Sequence, residues 1–185
     1  MPTTCFSRKK RVALFVSIGM GMLSCCSAAP VPTIDCKGVG DIRLGNPVSA
    51  LRHGRVVREF SEPTDVGGQT DWATVRLKGQ PVDVELNPAR AVVRIKLAHR
   101  GAATRANIGV GSMAAEAARY EAVVAVAGDG QELILMTGET CGLSFVTNLE
   151  LTSSQLRNGV GQSELLALPA SVKITKIWVG RSDEK

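Results

Sequence analysis

One glycine pattern, Gly109-x-Gly111-x-x-Ala114, has the spacing of a loop that cradles the phosphates of a dinucleotide. Such a loop follows a strand, opens a helix and has an acidic residue about twenty positions later. Here the preceding residues, 99–107, are polar and turn-like, and the segments that follow alternate like strands. We therefore interpret these glycines as structural, required for backbone conformation or close helix approach, and predict no phosphate or cofactor site.

Two carboxylates, Asp83 and Glu85, point to one face of a predicted strand because they alternate with apolar residues. A pair at this spacing could act as catalytic acid and base. Basic residues in the neighbouring strands favour a simpler account, a ladder of alternating charge: Arg76, Lys78, Arg94 and Lys96. Each cross-strand pair of this kind contributes about 0.2–1 kcal/mol. The pattern predicts a solvated sheet face.

The other candidate groups form no catalytic or metal-binding set. His53 and His99 stand among arginines with no acid beside them, which predicts surface residues rather than general bases. The sequence has no C-x-x-C, H-E-x-x-H or G-x-S-x-G motif, so we expect no zinc site and no hydrolase elbow. We predict a protein that is not an enzyme. A small hydrolase that uses Ser163 and Glu164 is the least favoured alternative.

The charge of the chain is concentrated at its beginning. Four basic residues, 8–11, precede an uncharged apolar run over residues 12–25, which is the layout of a secretory signal peptide. Removing residues 1–29 takes those four from the 22 basic residues and leaves 18 against 17 acidic ones. The exported protein is then almost neutral, and nucleic-acid binding is not predicted.

The end of the apolar run permits two processing routes. The sequence LSCCS, residues 23–27, is similar to a bacterial lipobox, in which Cys26 would be lipid-modified and the signal would end at residue 25. Small residues at 26–28 also suit an ordinary signal peptidase, with the signal ending at residue 29. Residues 30–40 would form an extended tether in either case. We expect an exported periplasmic protein, with a lipid anchor in the outer membrane under the first route.

Only two cysteines, Cys36 and Cys141, remain in the predicted mature body after residue 29. An even count in an exported protein favours a disulfide between them. Closing a loop of about 105 residues would stabilise the fold by roughly 4–5 kcal/mol in the chain-entropy model. The alternative is two separate buried thiols.

An internal similarity predicts the fold. DIRLGNPVSALRHG, residues 41–54, aligns with NIGVGSMAAEAARY, residues 107–120, and the strand-like segments after each also align. Each copy is predicted to be a short helical segment followed by an antiparallel meander of three or four strands. We therefore expect an α+β tandem repeat, with copies at residues 41–103 and 104–185 and an insert in the second copy at residues 147–171.

The shared pattern, I-x-(L/V)-G followed by a meander ending in (R/K)-I-x-(L/V), resembles the SmpA/OmlA-type envelope lipoproteins and the tandem-repeat β-lactamase inhibitory proteins. The resemblance implies a helical pair packed on a small antiparallel sheet. It also implies that the sheet or its edge binds another protein.

The alignment predicts that the second copy is apolar on the face that is charged in the first. Its candidate binding residues are Leu135, Val146, Lys176 and Trp178. In one interpretation the insert folds back and packs leucines 165, 166 and 168 over Trp178. In the other, Trp178 centres an exposed patch, since tryptophan is enriched at binding hot spots.

Together these features predict an exported, non-enzymatic envelope protein that acts as a protein-binding accessory or inhibitor-like module. Its partner would be another envelope or periplasmic protein, with no nucleic acid and no cofactor. A periplasmic carrier of a small ligand or lipid is the main alternative.

Overall fold

A computed structural model describes residues 30–51, 55–64, 67–121, 123–138 and 141–180. The predicted signal peptide, the lipidation candidate Cys26 and His53 lie outside these ranges. Among the described helices, none has the length and apolar character needed to cross a membrane.

Eleven strands and three short helices make up the described fold. The strands are β1 (Ile34–Asp35), β2 (Gly38–Val39), β3 (Ile42–Arg43), β4 (Val56–Pro63), β5 (Gln69–Leu77), β6 (Gln80–Leu86), β7 (Val92–Leu97), β8 (Val123–Ala127), β9 (Glu132–Thr137), β10 (Leu143–Glu150) and β11 (Ile174–Val179). The helices are α1 (Ala114–Tyr120), α2 (Ser153–Asn158) and α3 (Gln162–Leu166).

Eight of the strands form one antiparallel sheet in the order β4-β5-β6-β7-β11-β10-β9-β8. Two four-stranded meanders therefore meet at the centre, where β7 pairs with β11 and Lys96 lies opposite Trp178. The first three strands form a separate small sheet. Two of them lie within residues 30–40, where a tether was predicted; that prediction is wrong for Ile34 and Val39, which are buried in the core. Strands β4 and β8 are the two edges of the large sheet.

One face of the large sheet carries the hydrophobic core. In β6, Val82, Val84 and Leu86 are buried on this inner face, while Asp83 and Glu85 point to the other side. The small sheet and the helices α1 and α3 cover the inner face: the core cluster joins the sheet residues Phe145 and Ile177 to Ile42, Ala117 and Leu165. The sheet is thus packed against a second layer on one side.

The predicted α+β tandem repeat is wrong. The fold is mainly β, with one continuous eight-stranded sheet, and its helices have only seven, six and five residues. The first predicted helix is a 3-10 turn at Val48–Ala50, followed at Leu51 by extended backbone. So short a segment gains too few hydrogen bonds to offset the cost of helix nucleation.

The glycines in the aligned segments have structural roles. Gly45 and Gly111 have φ values of 82° and 93°, which lie in the left-handed region. Gly111 N–H donates to the carbonyl of Ile174 at 2.8 Å, and Gly45 N–H donates to that of Val92 at 2.7 Å. Each glycine therefore attaches the segment before a meander to the start of that meander's last strand.

The structure brings the predicted cysteine pair together. Cys36 and Cys141 are at disulfide distance, with their Cα atoms 4.6 Å apart. Cys36 lies between β1 and β2 of the small sheet, and Cys141 lies between β9 and β10. The disulfide therefore fastens the covering layer to the large sheet.

Candidate binding surface

The face of the large sheet opposite the core is called the outer face here. Directly opposed residues of antiparallel strands point to the same side, so the pairing register identifies its members. One row crosses all eight strands: Arg58, Thr74, Asp83, Lys96, Trp178, Ser144, Met136 and Val124. A second row, in the first meander, consists of Phe60, Trp72, Glu85 and Arg94.

Three aromatic side chains, Phe60, Trp72 and Trp178, form an aromatic cluster on the outer face. The Phe60 and Trp72 rings are stacked with centroids 6.4 Å apart, and Trp178 meets Trp72 edge-on at 6.0 Å. Trp72 is only 6 % exposed although it does not belong to the core cluster. Its neighbours on the sheet surface, rather than a covering layer, therefore bury it.

Three cationic groups lie against these rings. The Lys96 ammonium is 5.6 Å from the centroid of Trp178 and 6.0 Å from that of Trp72. The Arg94 guanidinium is 5.6 Å from Trp178, and that of Arg58 is 4.6 Å from Phe60. At these distances the ring faces attract the cations and hold the side chains flat against the sheet.

The acidic residues of the outer face are held by neighbouring side chains. Asp83 accepts a hydrogen bond from the Thr74 hydroxyl at 2.7 Å, and that hydroxyl accepts one from Arg58 Nε at 3.2 Å. Glu85 forms an ion pair with Arg94 at 3.2 Å. One of the four predicted ladder pairs, Glu85–Arg94 on the β7 side, is therefore an ion pair, and Lys96 lies opposite Asp83 in the register without an ion pair among the described residues. On the β5 side the register places Thr74 and Trp72 where the sequence suggested Arg76 and Lys78.

Two buried polar atoms have no hydrogen-bond partner among the described residues. They are Trp72 Nε1 and Glu85 Oε2, and the latter has only the ionic contact with Arg94. An unpaired buried polar group costs about 1–3 kcal/mol. The aromatic cluster is therefore less favourable for stability than its buried area alone would suggest.

The end of the outer face nearest β8 has a different character. It carries the apolar residues Val146, Ile134, Met136, Val124 and Val126, and its one charged residue in β9 is Glu132 at the start of that strand. Val124 is 61 % exposed and Val126 is 36 % exposed. The outer face thus has an aromatic, charged end and an apolar end, with Trp178 and Lys176 at the transition.

Three of the four predicted binding residues share this face. Trp178 lies opposite Ser144, and Val146 lies between Lys176 and Ile134. Leu135 instead lies in the core, 0 % exposed and opposite Phe145. Its assignment to the patch is wrong because the alignment of the two copies is shifted by one residue in β9, which reverses the faces of that strand. Since β9 is apolar on both faces, its alternation gives no signal that would correct the shift.

The insert does not cover Trp178. Leu165 belongs to the core, and Gln162 Nε2 donates to the carbonyl of Ala118 at 2.9 Å, which fixes α3 against α1 on the inner side. Helix α2 buries none of its residues. In the described part of the chain, the layers outside the large sheet therefore pack against its inner face.

Glu164 was considered above as a residue of a possible hydrolase site. It accepts a hydrogen bond from Gly161 N–H at 2.8 Å and caps α3.

Sequence reasoning missed Phe60 and Trp72. For Trp72 the sequence did contain a signal, namely the alternation along β5. Ala73 and Val75 are buried in the core, so Trp72 and Thr74, which alternate with them, must point to the outer face. His99 is exposed at the end of β7 and lines a pit of about 200 Å³ together with Asp83 and Lys96. No acidic side chain is hydrogen-bonded to it among the described residues.

No protein-family model matches this chain, and no curated protein matches it. Among solved structures, the chain is similar to the uncharacterized protein yfeY from Escherichia coli, with 12 % sequence identity and a TM-score of 0.47. The match covers 67 % of this chain and 80 % of that one. At this TM-score the likeness carries no conclusion about the present chain.

Proposed function

We propose that this chain is an exported, non-enzymatic protein of the bacterial envelope that binds another protein through the aromatic cluster. One observation carries the proposal: Trp178 and its aromatic and cationic neighbours lie on the face of the sheet opposite the core, which the described helices and small sheet leave uncovered. Tryptophan and arginine are the residue types most enriched at binding hot spots.

The arrangement suits a protein partner. Fixed ring faces provide apolar area at little cost in conformational entropy, and the charged groups around them provide orientation. Glu85 is paired with Arg94, and Asp83 is hydrogen-bonded to Thr74, whereas Lys96 and Lys176 are in no ion pair among the described residues. A partner that presents carboxylates beside apolar side chains fits this distribution.

The sequence provides independent support. The basic and apolar segments before residue 30 favour export, and the exported chain is nearly neutral, so it offers no general attraction to nucleic acid. In the envelope lipoproteins and inhibitory proteins that the sequence resembles, the sheet or its edge binds another protein.

The test is affinity capture of the tagged protein from detergent-solubilised envelopes, run beside Trp178→Lys. The matched control is Leu156→Lys, which introduces the same charge at an exposed leucine of α2. We expect a partner that is retained by the wild type and by Leu156→Lys and is lost with Trp178→Lys, while all three proteins remain folded at the temperature of the capture.

If the three baits retain the same proteins, the aromatic cluster is not the binding surface. A small molecule or lipid that copurifies with the protein, detected by native mass spectrometry, would instead favour the carrier alternative.

A further inference from the structure

Among the described residues, the large sheet has two unpaired edges. Strands β4 and β8 each pair with one described neighbour, so alternate backbone N–H and C=O groups of each point away from the sheet. Such an edge is a template for pairing with another strand unless its side chains prevent it.

The β4 edge carries side chains that oppose pairing. Its sequence, VVREFSEP, contains Arg58, Glu59, Glu62 and Pro63. Glu59 is also engaged in an ion pair with Arg90. Charged residues and proline on an edge strand discourage the addition of a further strand, because pairing would bury the charges and proline has no N–H to donate.

The β8 edge has none of these protections. Its sequence, VVAVA, contains no charge and no proline, and Val124 and Val126 are exposed on the outer face. Gly128 N–H donates to the carbonyl of Glu132 at 2.9 Å, so the backbone groups of Gly128 point toward β9. Every second residue before it along β8 does the same, and the residues between them direct their N–H and C=O groups away from β9. The backbone groups of Val123, Ala125 and Ala127 therefore point outward.

We propose that β8 pairs antiparallel with β8 of a second copy, which joins the two large sheets into one continuous sheet. An uncharged strand can lie opposite itself without placing like charges together. A head-to-tail contact between β8 and β4 would generate open filaments, but the charged β4 edge opposes it. The contact is therefore closed and two-fold symmetric.

The side chains agree with this pairing. A two-fold axis perpendicular to the sheet places Val124 and Val126 on the same face as the partner subunit's Val124 and Val126. They extend the apolar end of the outer face into a central band, with Ile134 and Met136 on each side. The exposed Tyr120 before β8 comes beside the partner's turn at residues 128–130.

The size of the contact predicts its strength. Five paired residues bury less than the roughly 1,200–2,000 Å² of a stable protein interface. The dimer is therefore weak, and its population depends on protein concentration.

Sedimentation velocity of the purified protein over a wide concentration range tests the proposal, together with Val124→Lys and Val126→Lys. We expect reversible dimerisation of the wild type and at least a tenfold weaker association of each variant, since like charges would then meet across the pair. The matched control is Val57→Lys, at an exposed valine of β4, which should dimerise as the wild type does.

A wild type that stays monomeric up to about millimolar concentration, the weak end of specific association, would overturn the proposal. So would a loss of association in Val57→Lys with none in Val124→Lys and Val126→Lys, because the contact would then use the β4 edge. Circular dichroism of each variant confirms that the sheet is intact.

Discussion

The two faces of the large sheet both carry large apolar side chains, but they are covered in different ways. On the inner face, Phe145 and Ile177 are fully buried under the small sheet, α1 and α3. On the outer face, Trp72 is buried by its neighbours on the same surface, and Trp178 remains half-buried. Packing under a layer stabilises the fold, whereas an uncovered aromatic surface remains available to a partner.

The difference implies that stability and binding can be separated by mutation. Inner-face substitutions should change the free energy of unfolding, and outer-face substitutions should mainly change association. The three predictions below test this separation.

The largest effect is expected for Phe145→Ala. It removes a fully buried ring from the core and should lower the free energy of unfolding by about 3–5 kcal/mol. Trp178→Ala removes a half-buried ring and an aromatic contact worth about 0.5–1.5 kcal/mol beyond its buried area, and should cost less than Phe145→Ala. Urea unfolding measures both values. If the two substitutions lower the free energy of unfolding equally, the outer face is as important for stability as the core, and stability and binding are not separated between the two faces.

The disulfide should have the next largest effect. Replacing Cys36 and Cys141 together by serine should lower the free energy of unfolding by about 4 kcal/mol, because the bridge closes a long loop. The loss should appear in urea unfolding, and partner capture through the outer face should persist at temperatures where the variant is folded. Two reactive thiols in the native protein would contradict the prediction, and a thiol assay detects them.

Part of the fold could be predicted from the sequence. The period-two patterns place the apolar and charged faces of β6 correctly, because that strand has one apolar and one polar face. The same reasoning fails for β9, where Leu133 and Leu135 face the core and Ile134 and Met136 face outward. The joining of the meanders through β7 and β11 is a long-range pairing, and local patterns contain no information about it.

The candidate site was also only partly predictable, because local patterns do not show which strands are neighbours. Trp178, Val146 and Lys176 could be placed on one face from the alignment of the two copies. The contact between Trp72 and Trp178 depends on which strands are neighbours, and these residues come from β5 and β11, with two strands between them in the sheet order. The side of the sheet that the insert packs against also depends on tertiary contacts, here those of Leu165 and Gln162.

The smallest effect is expected at the ion pair within the small sheet. Burial by itself raises the pKa of Asp35, but hydrogen bonds from Arg43 and from the Lys37 N–H, with the charge of Arg43, outweigh it and leave the pKa below its ordinary value. Such a carboxylate stabilises the fold above its unfolded pKa, near pH 4, and that contribution is lost as the pH falls through the lower folded value. Because both side chains are substantially exposed, the contribution should be below about 1 kcal/mol.

Asp35→Asn tests this effect when its free energy of unfolding is compared with that of the wild type from about pH 6 down to about pH 2, a range that spans the ordinary carboxyl pKa. The wild type should be the more stable at the upper end, and the difference should shrink below about pH 4. In an Arg43→Gln background the same substitution should have less effect, since the paired cation is absent. A difference that is constant over the range would mean that Asp35 contributes through shape alone, and that the attachment of the inner-face layer does not depend on this charge.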